Sequence, residues 1–248
     1  MKKSTFLTTS LAAAILALPT VTMAHEANSF ILRVGAVMVE PNEDSSDLSV
    51  KTADIGTVEN ARVGLNSDTQ LGINFTYKFT DNLGIGVLGA TPFKHDIQSA
   101  GLLSDLGLGN LGSTKHLPPT VTLQYFPLSP SSKVQPYVGI GFNYTTFFQE
   151  DTSSDLTAAF QTVADLNKVA VTVTGVDLKL DDSFGLAAEL GVDYMLTDRL
   201  MLNAAIWYAD IDTEATLTGK TEEGINVKAK LDVDIDPMVY MVSVGYKF

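Results

Sequence analysis

Over most of residues 25–248 apolar and polar positions alternate with a period of two. In Thr69–Phe79 the residues Leu71, Ile73, Phe75, Tyr77 and Phe79 are apolar, and Gln70, Gly72, Asn74, Thr76 and Lys78 between them are small or polar. Side chains on a strand point alternately to its two faces, so this segment is a strand with one greasy face; a 3.6-residue period fits it poorly. The same pattern sets Val121, Leu123 and Tyr125 against Thr122 and Gln124, and Val138, Ile140, Phe142 and Tyr144 against Gly139, Gly141 and Asn143. It also sets Phe184, Leu186, Ala188, Leu190, Val192 and Tyr194 against Gly185, Ala187, Glu189, Gly191 and Asp193. Weaker alternation in 29–39, 82–93, 200–211 and 237–248 brings the predicted strands to eight.

The connections between these strands alternate in length. Thr80–Asn82, Pro127–Lys133 and Leu196–Arg199 are tight, whereas 40–68, 94–117, 149–182 and 212–236 are long. An eight-stranded antiparallel up-and-down transmembrane β-barrel has this plan, with short periplasmic turns, long extracellular loops and both termini on the short-turn side. A soluble barrel would be polar outside and apolar inside; here the greasier face carries Tyr and Phe near the strand ends, as a lipid-facing girdle does. The last strand has Met238, Tyr240, Val242, Val244, Tyr246 and Phe248 in one apolar row. Left on a soluble sheet edge, that row would invite aggregation.

Residues 1–24 read as a secretory signal. Lys2 and Lys3 form the basic start, Leu11–Leu18 the apolar run and Thr22-Met23-Ala24 the cleavage region, so the mature chain is expected to begin at His25. Beyond residue 24 no apolar run is long enough for a helix to cross a bilayer. An exported chain of this kind enters a membrane only as a closed barrel, where every backbone polar group finds a partner.

Losing Lys2 and Lys3 leaves fourteen basic residues against twenty-nine acidic ones and takes the formal charge from −13 to −15. Nucleic acid is not a partner suited to that charge. Cysteine is absent, which removes disulfides, thiolate nucleophiles and Cys-based zinc sites. Two glycine-rich strings match a dinucleotide fingerprint, Gly84–Gly89 and Gly107–Gly112. The first lies inside a strand and neither opens a helix, so inward glycines making room in a narrow barrel explain the first better. No cofactor is implied. His25, His95 and His116 lack carboxylate or cysteine neighbours at ligand spacing, which favours hydrogen bonding over a metal site. No Ser stands in a nucleophile-elbow context, and the chain reads as a non-enzyme. Asp232, Asp234 and Asp236 share the parity of Met238, so hydrocarbon must begin near Met238; a solvated rim suits them better than a cation bridge to lipopolysaccharide. Leu156, Ala159, Phe160 and Val163 at helical spacing predict a short amphipathic helix within 153–166, on the rim or as core of its loop.

Several strings, in order along 25–248, resemble the outer-membrane protein W (OmpW) family: His25-Glu26-Ala27, Thr69–Gly72, Ala90–His95, His116–Thr120, Pro136–Gly139 with Asn143–Phe148, Gly191–Tyr194, and Trp207-Tyr208 before Asp210–Thr213. The loops 41–67, 100–114, 150–180 and 214–235 carry no such match. The resemblance implies a small barrel of the bacterial outer membrane with a narrow apolar lumen, passing small hydrophobic solutes. Relatives in that family are linked to alkane and naphthalene uptake. The terminal aromatics Tyr246 and Phe248 resemble the signal read by the outer-membrane assembly machinery. Lipid, lipopolysaccharide, that machinery and apolar solutes are the partners expected.

Strand polarity orders the inward residues by depth. The upper lumen is expected to be apolar, with Leu88, Ala90, Trp207, Val239 and Met241 lining a chamber or gate. A floor of paired charges is expected from Lys78, Asp193 and Lys247, with Arg33 and Glu189 nearer the middle. The upper ends of the third and eighth strands carry Pro92 and Pro237, whose parity faces them inward, and there the wall is expected to be weak enough for sideways exit into the bilayer. The alternatives are that Leu88 and Trp207 only pack the lumen, and that the protein is a surface receptor, adhesin or structural component acting through its acidic loops.

Overall fold

The computed structural model describes residues 25–51 and 56–248; the expected signal segment lies outside them. Eight strands make the barrel: β1 (Ser29–Glu40), β2 (Asp68–Lys78), β3 (Leu83–Ala90), β4 (Thr120–Tyr125), β5 (Val134–Thr152), β6 (Ser183–Met195), β7 (Leu200–Ala209) and β8 (Met238–Lys247). Each pairs antiparallel with its neighbours in sequence, and β1 closes the ring on β8 from Ile31–Lys247 to Glu40–Met238. Closure leaves no strand edge, the condition for a sheet to sit in lipid.

The alternation fixes which face meets lipid. Val242 is 70% exposed and the adjacent Met241 1%, and the outward rows of the other strands behave like Val242. Tyr77, Tyr125, Tyr194 and Tyr246 form the lower aromatic girdle; Tyr144, Phe184, Tyr208 and Tyr240 form the upper one. Two upper hydroxyls donate to carboxylates that mark the end of hydrocarbon: Tyr208 to Asp236 Oδ2 at 3.0 Å and Tyr144 to Asp182 Oδ2 at 2.7 Å. The phenol ring stays in the apolar layer while its oxygen reaches the wet one.

The long connections are not irregular loops. Above the girdle, Val173–Leu180, Asp212–Thr221, Asn226–Asp234, Leu48–Val50 and Gly56–Val58 form one sheet. Ala61–Leu65, Phe93–Gly101, Asn110–Leu117 and the upper half of β5 form a second wall. Inward apolar positions run without a phase change from Trp207 and Ala209 through Ile211, Ala215 and Leu217, while the outward positions switch from Tyr208 to Asp210, Asp212 and Glu214. The same sheet surface therefore leaves lipid and enters water, keeping its apolar inner face. Helix Ser154–Leu166, capped where Ser153 Oγ accepts from Leu156 N, closes one side by burying Leu156, Ala159, Phe160, Val163 and Ala164. It is core for this dome, not an appendage on its rim.

Candidate functional site

The lower half of the lumen is sealed by hydrogen-bonded polar groups. Arg33 makes a bidentate pair with Asp193, through Nε to Oδ1 at 2.9 Å and Nη2 to Oδ2, and its Nη1 donates to Asn74 Oδ1 and Thr76 Oγ1, both at 2.8 Å. Asn203 Nδ2 donates to Asp193 Oδ1 at 2.8 Å and to Tyr137 Oη at 2.9 Å. Glu189 accepts from Thr122 Oγ1 at 2.6 Å and from Gln124 Nε2 at 2.9 and 3.0 Å. Gln124 reaches Glu189 by lying over Gly86, where a Cβ would come within 2.4 Å of its amide nitrogen. That crowding accounts for the inward glycine of the first glycine-rich string.

The expected floor residues are all buried, but they do not form one network. Arg33 and Asp193 are its centre. Lys78 donates instead to the Asp81 carbonyl at 2.7 Å and lies 4.1 Å from the centroid of the Phe126 ring, an ammonium over an aromatic face. Lys247 is at the periplasmic rim, 3.3 Å from Glu26 Oε1. Three floor residues escaped the sequence reading. His25, fully buried, comes up from beneath with Nε2 2.8 Å from Asp193 Oδ2; Phe126 packs tilted against its ring, and Tyr137 against Phe126. Phe126 and Tyr137 hold inward positions by parity, but Phe126 lies just beyond the end of its strand and Tyr137 is a large ring among small inward residues, so parity alone does not mark either as floor; His25, ahead of the first strand, carries no alternation signal.

Above the floor the lumen turns apolar. Leu88, Trp207, Val239 and Ala90 line a cavity of about 20 Å³ with Phe93, Pro118, Pro237 and His116. Met241 belongs to the same apolar cluster but does not line the cavity. Trp207 is buried, and its indole N–H finds no acceptor among the described residues. Higher still, inside the dome, a second cavity of about 100 Å³ is walled almost wholly by carbon, including Leu65, Ile97, Leu111, Phe160 and Leu217. His116 and Ile211 line both cavities, so the two lie in series.

The wall beside the lower cavity is interrupted. Pairing of β3 with β4 stops at Leu88–Thr120, and pairing of the strands above resumes at Phe93–His116. Residues 89–92 have no register partner on that side, and Pro92, Pro118 and Pro119 have no N–H to offer. The Pro118 and Pro119 carbonyls turn the other way, accepting from Asn143 Nδ2 at 3.1 Å and Tyr144 N at 3.1 Å. A Cβ built on Gly89 meets nothing within 4 Å. Pro92 is exposed and not inward-facing, because the chain bends at Thr91–Pro92 and alternation lapses. At Pro237 the wall is whole: Ala209 N donates to its carbonyl at 3.4 Å and Asn42 N to Ile235 O at 3.0 Å, so of the two prolines only Pro92 marks a break. Outside the barrel the structure gathers Asp236 with Asp210 and Asp212, while Asp232 and Asp234 stay solvated.

A closed eight-stranded barrel with a lipid-facing apolar belt, short turns below and a structured dome above defines a bacterial outer-membrane protein. Comparison with known proteins agrees: residues 26–248 match the OmpW family, and the chain belongs to it. It is 45% identical over 226 residues to outer membrane protein W of Vibrio cholerae serotype O1, covering 91% of each chain. To outer membrane protein W of Escherichia coli K12 it is 37% identical over 227 residues, again 91% of each. The crystal structure of OprG from Pseudomonas aeruginosa superposes with a TM-score of 0.77 at 44% identity, covering 91% of this chain and 98% of that one.

Proposed function

We propose that this barrel conducts small hydrophobic molecules from the cell surface through the dome cavity to the cavity at Trp207, and releases them sideways into the bilayer between β3 and β4. The observation that carries the reading is the break at residues 89–92, which lies against the lower cavity and directly above a sealed floor. Continuing downward, an apolar solute would have to part Arg33 from Asp193 and strand both charges, a loss of about 3–5 kcal/mol for one such pair. Moving sideways, it exchanges an apolar cavity for hydrocarbon at little change in free energy. Lipopolysaccharide around the upper girdle and the machinery that reads Tyr246 and Phe248 are the partners this reading assigns.

Intrinsic fluorescence reports directly on the route, since Trp207 is the only tryptophan. Titration with an apolar solute should shift its emission, and solute uptake by cells should fall for Trp207→Ala and for Leu88→Lys, which puts a charge in the lower cavity. Gly89→Phe, filling open space at the break, should lower uptake with the barrel still folded. Unchanged emission together with unchanged uptake in the Trp207 and Leu88 variants would leave those residues as packing, and normal uptake by Gly89→Phe would remove the sideways exit.

A further inference from the structure

Where the two cavities meet, His116 is hydrogen-bonded to His95, which lines the dome cavity. His95 Nε2 and His116 Nε2 are 2.8 Å apart, and the residues are 3% and 5% exposed. Both stand above the lipid belt, where the neighbouring register pair is Lys94–Lys115. Burial holds both imidazoles neutral, pushing His95 below its ordinary range and His116 down to about 3. The tautomers follow from the partners. His95 Nδ1 contacts the Asn66 carbonyl, which can only accept, so Nδ1 carries the proton and Nε2 is a bare acceptor. His116 Nε2 must then be the N–H that donates to it.

We propose that this pair is a recognition site for the hydroxyl of an alcohol or phenol, so that the conduit favours apolar solutes bearing one hydroxyl over hydrocarbons of the same shape; the inference rests on the conduit proposed above. His116 lines both cavities and His95 the dome cavity, and on this proposal a solute crossing between the cavities passes between the two rings and parts them. A hydrocarbon leaves one buried donor and one buried acceptor unsatisfied. A hydroxyl inserted between the rings accepts from His116 Nε2–H and donates to His95 Nε2, satisfying both freed groups. The body of such a solute finds carbon on either side: Phe93 and Phe147 flank the His116 ring at 5.5 and 5.8 Å between centroids, and Ile211 faces both cavities.

The test compares p-cresol with p-xylene, which differ by a hydroxyl in place of a methyl, as initial uptake by cells expressing the barrel above cells that lack it. The p-cresol to p-xylene ratio should be about tenfold higher through the native barrel than through His116→Phe, the factor of roughly one neutral hydrogen bond. A ratio unchanged by the substitution, with both solutes taken up, would overturn the hydroxyl site and spare the conduit. No barrel-dependent uptake of either solute would overturn both. Should His116→Phe fail to fold, as judged by loss of the heat-dependent gel shift, imidazole ¹⁵N resonances of the native protein in nanodiscs decide. Movement of the two Nε2 signals with p-cresol but not p-xylene supports the site, and signals indifferent to both solutes refute it.

Discussion

Replacing Asp193 tests whether the floor is an ion pair held by its partners or merely a polar plug. Its carboxylate accepts from Arg33 twice, from Asn203 and from His25, and neither Arg33 nor Asp193 has any exposed surface. Asp193→Ala removes all four acceptor contacts and leaves a buried guanidinium with its hydrogen bonds to Asn74 and Thr76 and the Tyr137 ring 5.1 Å away, but no counter-charge paired with it. Breaking a buried pair from one side loses about 3–5 kcal/mol, chiefly because the remaining charge is stranded. Arg33→Met with Asp193→Leu removes both charges, and its loss should be far smaller, about 1–2 kcal/mol or none. The assay is urea unfolding of barrels reconstituted in lipid vesicles, following the heat-dependent gel shift and Trp207 emission for the native chain, Asp193→Ala, the single variants Asp193→Leu and Arg33→Met, and the double variant. A double-mutant cycle then isolates the coupling, which on these figures is at least about 4 kcal/mol, above the roughly 0.5–3 kcal/mol usual between contacting residues. An Asp193→Ala barrel within about 1 kcal/mol of the native one, or additive single losses, would show that water enters the floor and would reopen a downward path.

Three further outcomes are expected. Gly86→Val should push Gln124 off Glu189 and destabilise the barrel by about 1–3 kcal/mol in the same unfolding assay, since the new side chain occupies the space Gln124 uses. Deleting Phe248, which is 67% exposed on the lipid side and edge-on to Tyr246 at 4.9 Å, should cut outer-membrane levels and leave unfolded chain in the periplasm, measured by fractionation and immunoblotting. The dome should lose stability as pH falls from about 6.5 towards 3, because the unfolded imidazoles of His95 and His116 take up protons that the buried pair refuses, and stability should be flat above that window. Amide exchange in Phe93–Gly101 and Asn110–Leu117, corrected for intrinsic rates, should then report easier opening near about pH 4.5 than at about pH 7.

The sequence by itself determined the barrel. A period of two over eight segments, joined by alternately short and long connections, admits one closed arrangement in a membrane, and it settled which residues face lipid because a one-residue slip would invert every face. It also placed Arg33, Lys78, Glu189 and Asp193 inside, and Leu88, Trp207 and Val239 above them, since parity and depth follow from the strand's rise alone. What only the tertiary structure decided is who meets whom across the lumen. Lys78 turned to a turn carbonyl and Phe126, Lys247 to the rim, and His25 took the place beneath Asp193, because these choices depend on the width of the barrel and on residues as far as 221 positions away. The dome is an intermediate case. Its inward apolar rows were visible in the sequence, but they continue the barrel's inner face in water, where long polar connections read as loops. The break at residues 89–92 was legible only in part: Pro92 pointed to it and Pro237 pointed away from it, and the difference is whether the neighbouring strand has carbonyls and amides aimed to complete the ladder.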